Sequence, residues 1–312
     1  MSLMNIADVD LNLLKVFEAL YEESSASRAA LRLGVTQSAV SAALRRLRDV
    51  YGDALFVRTG RGLAPTLRAN QLRPLIGEAL GKCRQSLALL APTASDFAGR
   101  AVSLGLSDDF EIAYGRRLID AVQKRAPGLR LIFRQTHSQI VADALLDRSI
   151  DLALTAGGFN ARMLSREILA DGGYSCLVDA GSLVPEQMAL SIDEFVAREH
   201  ILISSGGFIG IVDEALAAIG LTRRVSVSTT HFAALPYLLP GTGAVATIPS
   251  HAADEIARVT GLAALPCPLP LPRYPIELGW RTTPQVDLAI QRVREAIVDC
   301  FRPSADMSDT HG

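Results

Sequence analysis

Ser38, Ser41, Arg45 and Arg48 recur at i, i+3, i+7 and i+10, with Gln37 beside the first of them. On a helix this spacing makes one polar stripe. Hydroxyl and amide groups at the leading end, followed by guanidinium groups, suit base edges in a DNA major groove. Behind the stripe, Val40, Leu44 and Leu47 follow i, i+4 and i+7 and must face inward. Thr36 is placed to cap the helix. The surrounding charge agrees with a polyanionic partner. Between Ser24 and Arg73 there are nine arginines, no lysine and two acids, so the window is +7 and the rest of the chain is −9, to reach −2 overall. Such asymmetry fits a phosphate-facing module joined to an acidic body.

The elements that position the stripe are legible on either side of it. Residues 11–22 form a helix, with Leu13, Leu14, Phe17, Leu20 and Tyr21 at helical spacing. Ser24 and Ser25 end it and cap a short helix over 26–33, which turns Ala29, Ala30 and Leu33 inward. Gly34 takes the tight turn, Val35 plugs the core, and the striped helix runs to about Tyr51. A strand over 55–58, a glycine-bearing turn and a return strand at Leu63 make a small wing, with Arg58 and Arg61 near its tip. Pro65 then opens a long helix reaching about Leu90. Leu72, Ile76, Ala79, Cys83 and Leu90 approximate a seam along it, flanked by Leu75, Leu80 and Leu87, and a second copy would pack there.

Leu11-Asn-Leu-Leu14, Arg28-Ala-Ala30, Leu33-Gly-Val-Thr-Gln-Ser38, Ala43-Leu-Arg-Arg-Leu47 and Leu55-Phe-Val-Arg-Thr59 together resemble the N-terminal signature of LysR-type transcriptional regulators. The run Phe56-Val-Arg-Thr-Gly-Arg-Gly-Leu-Ala-Pro-Thr66 is similar to the branch of nodulation regulators and salicylate-responsive activators. Leu106-Ser-Asp-Asp-Phe-Glu111 and Val212-Asp-Glu-Ala215 look like its multidrug-efflux activators. The resemblance implies a winged helix-turn-helix over 1–65, a linker and dimerisation helix over 66–91 and a hinge over 92–99. It also implies a two-lobed, periplasmic-binding-protein-like α/β domain that senses a small-molecule effector. Lobe I would take 100–170, lobe II 171–274, a return to lobe I 275–303, and a disordered tail 304–312. Double-stranded promoter DNA, RNA polymerase and further copies of the chain, as a dimer or a dimer of dimers, are the implied partners. DNA contacts are expected from Arg28, Thr36, Gln37, Ser38, Ser41, Arg45, Arg48, Arg58 and Arg61.

From Ala101 onward strands and helices alternate, which implies parallel sheets with helical crossovers. Ligands of such sheets bind beyond the carboxyl ends of strands. The liners expected on lobe I are Ser107, Asp108, Asp109 and Phe110 after the first strand, then Gln135, Thr136 and Gly157. From lobe II come Ser204, Ser205, Gly206, Gly207 and Phe208, with His231 and Phe232 at another helix start. Two acids at the mouth disfavour an anionic effector unless an arginine answers them.

Catalysis finds no support. There is no GxSxG, HExxH, GxxxxGK[ST] or GxGxxG. The looser Gly241-Thr-Gly-Ala-Val-Ala246 leads into a strand instead of following one. The five histidines (137, 200, 231, 251 and 311) lack metal-ligand spacing, and no cofactor is expected. The four cysteines lie far apart without a CxxC pair and read as buried thiols, with a redox role for Cys83 on the long helix as the alternative. No stretch approaches the roughly 20 apolar residues of a membrane span, and the first ten residues lack a secretory pattern, so a cytoplasmic location is expected.

Overall fold

The computed structural model describes residues 9–60, 62–88, 97, 100–204, 206–282 and 287–302. The chain divides into two compact units, Met1–Ala94 and Ser95–Gly312. Arg61, Ser205, the expected tail and all of the expected hinge except Phe97 lie outside the described residues.

In the first unit, α1 (Asn12–Glu23), α2 (Ala26–Leu33) and α3 (Gln37–Tyr51) enclose Leu13, Phe17, Leu20, Ala29, Val40 and Leu47. Each boundary has a local cause. Ser25 accepts a hydrogen bond from the Arg28 amide, Gly34 closes α2 with a left-handed φ of 67°, and Thr36 accepts from the Ala39 amide at 3.2 Å. Val35 departs from expectation. It is 46% exposed, and Leu33 packs against the core instead. The αL turn at Gly34 carries the next side chain outward.

β1 (Phe56–Thr59) and β2 (Gly62–Pro65) pair antiparallel as the wing, and Phe56 sits in the helical core 5.4 Å from the ring of Phe17. Gly62 has a φ of 134°, and a Cβ there would lie 2.5 Å from the Ser24 carbonyl oxygen, so only glycine lets the wing root close on the α1–α2 corner. α4 (Leu67–Ala88) follows. Ala69, Ile76 and Leu80 are buried against the three-helix core, whereas Leu67, Leu75, Ala79 and Cys83 are exposed. The single apolar seam expected of this helix is thus divided between two sides.

The second unit holds two five-stranded sheets. Lobe I contains β3 (Ala101–Leu106), α5 (Asp108–Arg125), β4 (Arg130–Gln135), α6 (Val141–Leu146), β5 (Leu152–Thr155) and β6 (Leu164–Gly172). The chain then builds lobe II from β7 (Tyr174–Asp179), α7 (Ile192–Ala197), β8 (Glu199–Ile203), α8 (Ile211–Ala217), β9 (Arg224–Thr229), α9 (Leu235–Leu238), β10 (Val245–Pro249), α10 (Ser250–Val259) and β11 (Leu262–Pro266). It returns through β12 (Tyr274–Arg281) and α11 (Leu288–Phe301) to a sheet of order β4-β3-β5-β12-β6. Lobe II has the order β11-β7-β10-β8-β9.

The sheets are mixed, not parallel. β12 runs antiparallel to β5 and β6, and β7 to β10 and β11. The cause is directional. β3, β4 and β5 end at the boundary between lobes, as do β8, β9 and β10, while β7 and β12 begin there, having just crossed it. Gly172 marks the first crossing, where a Cβ would stand 2.2 Å from the ring of Tyr274 on the second. Phe97, assigned by sequence to the hinge, is buried in the core of lobe I with Val102, Leu118 and Ile297.

Candidate nucleic-acid interface and inter-lobe boundary

The first unit presents α3 as an outward polar row. Gln37, Ser38, Ser41 and Arg45 are exposed, and Val40, Leu44 and Leu47 are buried directly behind them. The arginines divide by what already holds them. Arg28 donates to the Glu23 carbonyl oxygen, Arg46 pairs with Asp10 at 3.3 Å, and Arg32 pairs with Glu22 and Glu23. Among the described residues, Arg45 and Arg58 have no recorded partner and are exposed, one on α3 and one on β1.

Arg48 is half-buried and already engaged within the unit. Its Nε donates to the Ala54 carbonyl at 2.8 Å and its Nη2 to the Phe56 carbonyl at 3.0 Å, which ties the end of α3 to the start of the wing. Arg48 thus positions the wing from its place on the stripe. Thr36 is likewise occupied: it caps α3 and lies 2.9 Å from the Ser38 hydroxyl.

In the second unit, the strand ends bring the other nominated residues to the lobe boundary. Ser107, Asp108, Asp109 and Phe110 open α5, Gln135 ends β4 with Thr136 just after it, and Gly157 follows β5 with a φ of 76°. Thr136 is 1% exposed, and its Oγ1 finds no hydrogen-bond partner among the described residues. Ser204 follows β8 and is hydrogen-bonded to both the amide and the carbonyl of Gly206, while Gly206, Gly207 and Phe208 are exposed. His231 is exposed and Phe232 half-buried at the 3-10 turn before α9.

The two acids are not free at a mouth. Asp108 accepts from the Ala233 amide at 3.2 Å and lies 3.9 Å from His231 Nδ1. Asp109 is 5% exposed, accepts from the Ser107 hydroxyl, and lies 3.0 Å from His251 Nε2. His251 opens α10 on lobe II and stacks on Phe110 at 4.6 Å, so an aspartate and a phenylalanine of lobe I grip one histidine of lobe II. Burial and the Asp109 charge together push the phenols of Tyr174 and Tyr274 up, and both keep their protons. Both acids are thus met by groups of lobe II. His251, Tyr174 and Tyr274 escaped sequence reasoning because their partners are distant in the chain. A cavity of about 710 Å³ opens elsewhere, at the opposite ends of β8 and β10, among Arg198, Glu199, Val227, Leu238 and Thr242.

Comparison with known proteins agrees with this architecture. Residues 11–70 match the bacterial regulatory helix-turn-helix protein, lysR family, and residues 96–302 match the LysR substrate binding domain. The chain is 33% identical over 308 residues to the HTH-type transcriptional activator NahR of Pseudomonas putida, covering 96% of this chain and 99% of that one. It is 31% identical over 296 residues to nodulation protein D 1 of Bradyrhizobium japonicum, covering 94% and 91%. The crystal structure of the probable transcriptional regulator PA0477 from Pseudomonas aeruginosa superposes with a TM-score of 0.70 at 28% identity, covering 95% of this chain and 97% of that one. Among the described residues no helix is long and apolar enough to cross a membrane. With a DNA-binding helix-turn-helix and an effector-binding domain matched in one chain, this protein belongs to the LysR family of bacterial transcriptional regulators and is not an enzyme.

Proposed function

We propose that the chain reads a dyad-symmetric promoter site with paired winged helices, under the control of a small molecule held between lobes I and II. The observation that carries this reading is the exposed row of Gln37, Ser38, Ser41 and Arg45 over fully buried Val40 and Leu47. Those four supply base readout, while Arg28, Arg58 and Arg61 hold phosphates. The exposed side of α4, with Leu75, Ala79 and Cys83, supports a dimer seam. Assembly as a dimer of dimers and contact with RNA polymerase extend the same reading. Footprinting on the DNA upstream of the protein's own gene tests it. Two protected half-sites a whole number of helical turns apart are expected, and equal affinity for that fragment and bulk competitor DNA refutes it.

Within the sensor, Ser107, Gln135, Thr136, Gly157, Ser204, Ser205 and Phe232 are proposed as effector liners, and Thr136 is the one with a measurable signature. A buried hydroxyl without a partner costs about 1–3 kcal/mol. Thr136→Val is therefore expected to raise the thermal midpoint of the ligand-free protein. It should also abolish the further stabilisation given by whichever member of a panel of aromatic carboxylates and neutral aromatics stabilises wild type. Thermal unfolding with and without the panel checks both halves, and an unchanged ligand response removes Thr136 from the site.

A further inference from the structure

The first turns of α5 belong to both lobes. Phe110 and Leu118 are buried in the core of lobe I, with Tyr114 packed beside them. Ile112 instead packs on the core of lobe II, against the cluster of Leu235, Ala252 and Ile256. At 3.6 residues per turn, Asp108, Asp109 and Ile112 share an arc of about 100° on the side away from Phe110 and Leu118. Both acids reach lobe II from that arc. The Asp108 carboxylate accepts from the Ala233 amide at 3.2 Å, and the Asp109 carboxylate from His251 Nε2 at 3.0 Å. The second pair is sealed from water, with 7% of the Asp109 side chain and 8% of the His251 side chain exposed. Two aromatic rings of lobe I hold the same imidazole, Phe110 at 4.6 Å and Tyr114 at 5.5 Å.

We propose that the start of α5 is a bolt between the lobes: protein groups alone hold lobes I and II shut, and the lobes part only when Asp109 and Phe110 release His251. A clam that closes on its ligand needs an open boundary beforehand. Here Ile112 and His251 already fill the boundary beside α5, so a signal has to act by drawing the bolt. Withdrawing His251 strands a buried carboxylate without its donor, which makes a half-open arrangement costly and favours two discrete states. The movement also has a path away from the boundary. Tyr114 stacks 4.6 Å from Phe301, and Arg117 donates to the Cys300 carbonyl, so α5 carries the end of α11 with it. The other end of α11 is capped by Asp287, which accepts from Arg100 at 2.8 Å, beside the first strand of lobe I.

The test uses full-length protein with nothing added, so its outcome does not depend on which effector the sensor binds or on the proposed liners. Hydrogen exchange is followed at single amides by mass spectrometry. The reporter is the Ala233 amide, whose acceptor is Asp108 across the boundary and neither Asp109 nor His251. In His251→Ala this amide is expected to exchange about tenfold faster, the scale of one lost charge-assisted hydrogen bond. The Leu104 and Ala246 amides, inside the two sheets, should keep their wild-type rates. Asp109→Asn keeps the size of the side chain and weakens its bond to His251. It should give the same pattern with a smaller factor, and it decides the matter where circular dichroism shows that the alanine variant has not folded. A folded variant in which Ala233 exchanges at the wild-type rate overturns the proposal, because His251 then acts only on its immediate neighbours. Equal acceleration of Ala233, Leu104 and Ala246 overturns it too, since that is general loss of stability and not release of a bolt.

Discussion

Alanine at Arg45 is expected to remove most of the protein's preference for its own promoter while leaving binding to random duplex within a few-fold of wild type. Arg45 stands on the exposed row of α3 with no recorded partner among the described residues, so its guanidinium is available for a bidentate contact to a guanine. One such contact discriminates by about 1–3 kcal/mol, and a symmetric dimer makes it twice, so a loss on the order of 100-fold in specific affinity follows. Arg58→Ala is the control. Arg58 lies on the wing, and a phosphate contact there should weaken all sequences about equally and flatten the salt dependence by roughly one counterion per subunit. Binding-site selection and salt titrations on both variants separate the roles. If Arg45→Ala lowers specific and random binding by the same factor, α3 does not read bases through that residue.

The difference between these two arginines and Arg48 marks how far the sequence could be read. Helical spacing is a local property, so the inward set Val40, Leu44 and Leu47, the caps Ser25 and Thr36 and the turn at Gly34 were all legible from residues within a turn or two of one another. Arg48 fits the stripe by spacing yet is diverted by the Ala54 and Phe56 carbonyls, which the wing brings to it only once folded. The body of the chain repeats this on a longer scale. Strand identity was readable where β-branched and leucine runs are pure, but strand direction at β7 and β12 depends on the chain crossing between lobes. Asp108 and Asp109 looked like ligand groups because they follow the first strand of the lobe, where ligands of such sheets bind. Ala233, His231 and His251 meet them from more than a hundred residues away.

His200 gives the clearest consequence of such a long-range arrangement, a loss of stability in mild acid. The residue is fully buried on β8, where its Nε2 donates to the Phe195 carbonyl at 2.9 Å and its Nδ1 accepts from Arg223 Nη1 at 3.2 Å. Arg223 can only donate, so the ring is neutral with its proton on Nε2. Burial first, and then the Arg223 charge, lower His200 from 6.5 to about 4. Below the higher value the unfolded chain takes up a proton that the folded chain refuses. Stability is therefore complete above about pH 6.5, declines as the pH falls through the window, and levels out near pH 4. A gap of that size corresponds to about 3 kcal/mol, a large share of what holds an ordinary domain together. Asp213, which pairs with Arg223 at 2.8 Å and is thereby held below its ordinary value despite the opposing effect of burial, adds a further loss only below about pH 4. His200→Gln keeps an uncharged donor in the same cavity and should flatten the decline between pH 6.5 and 4 while leaving the lower step. Urea unfolding at half-unit pH steps measures both. An equal slope in wild type and His200→Gln would assign the acid sensitivity to some other group.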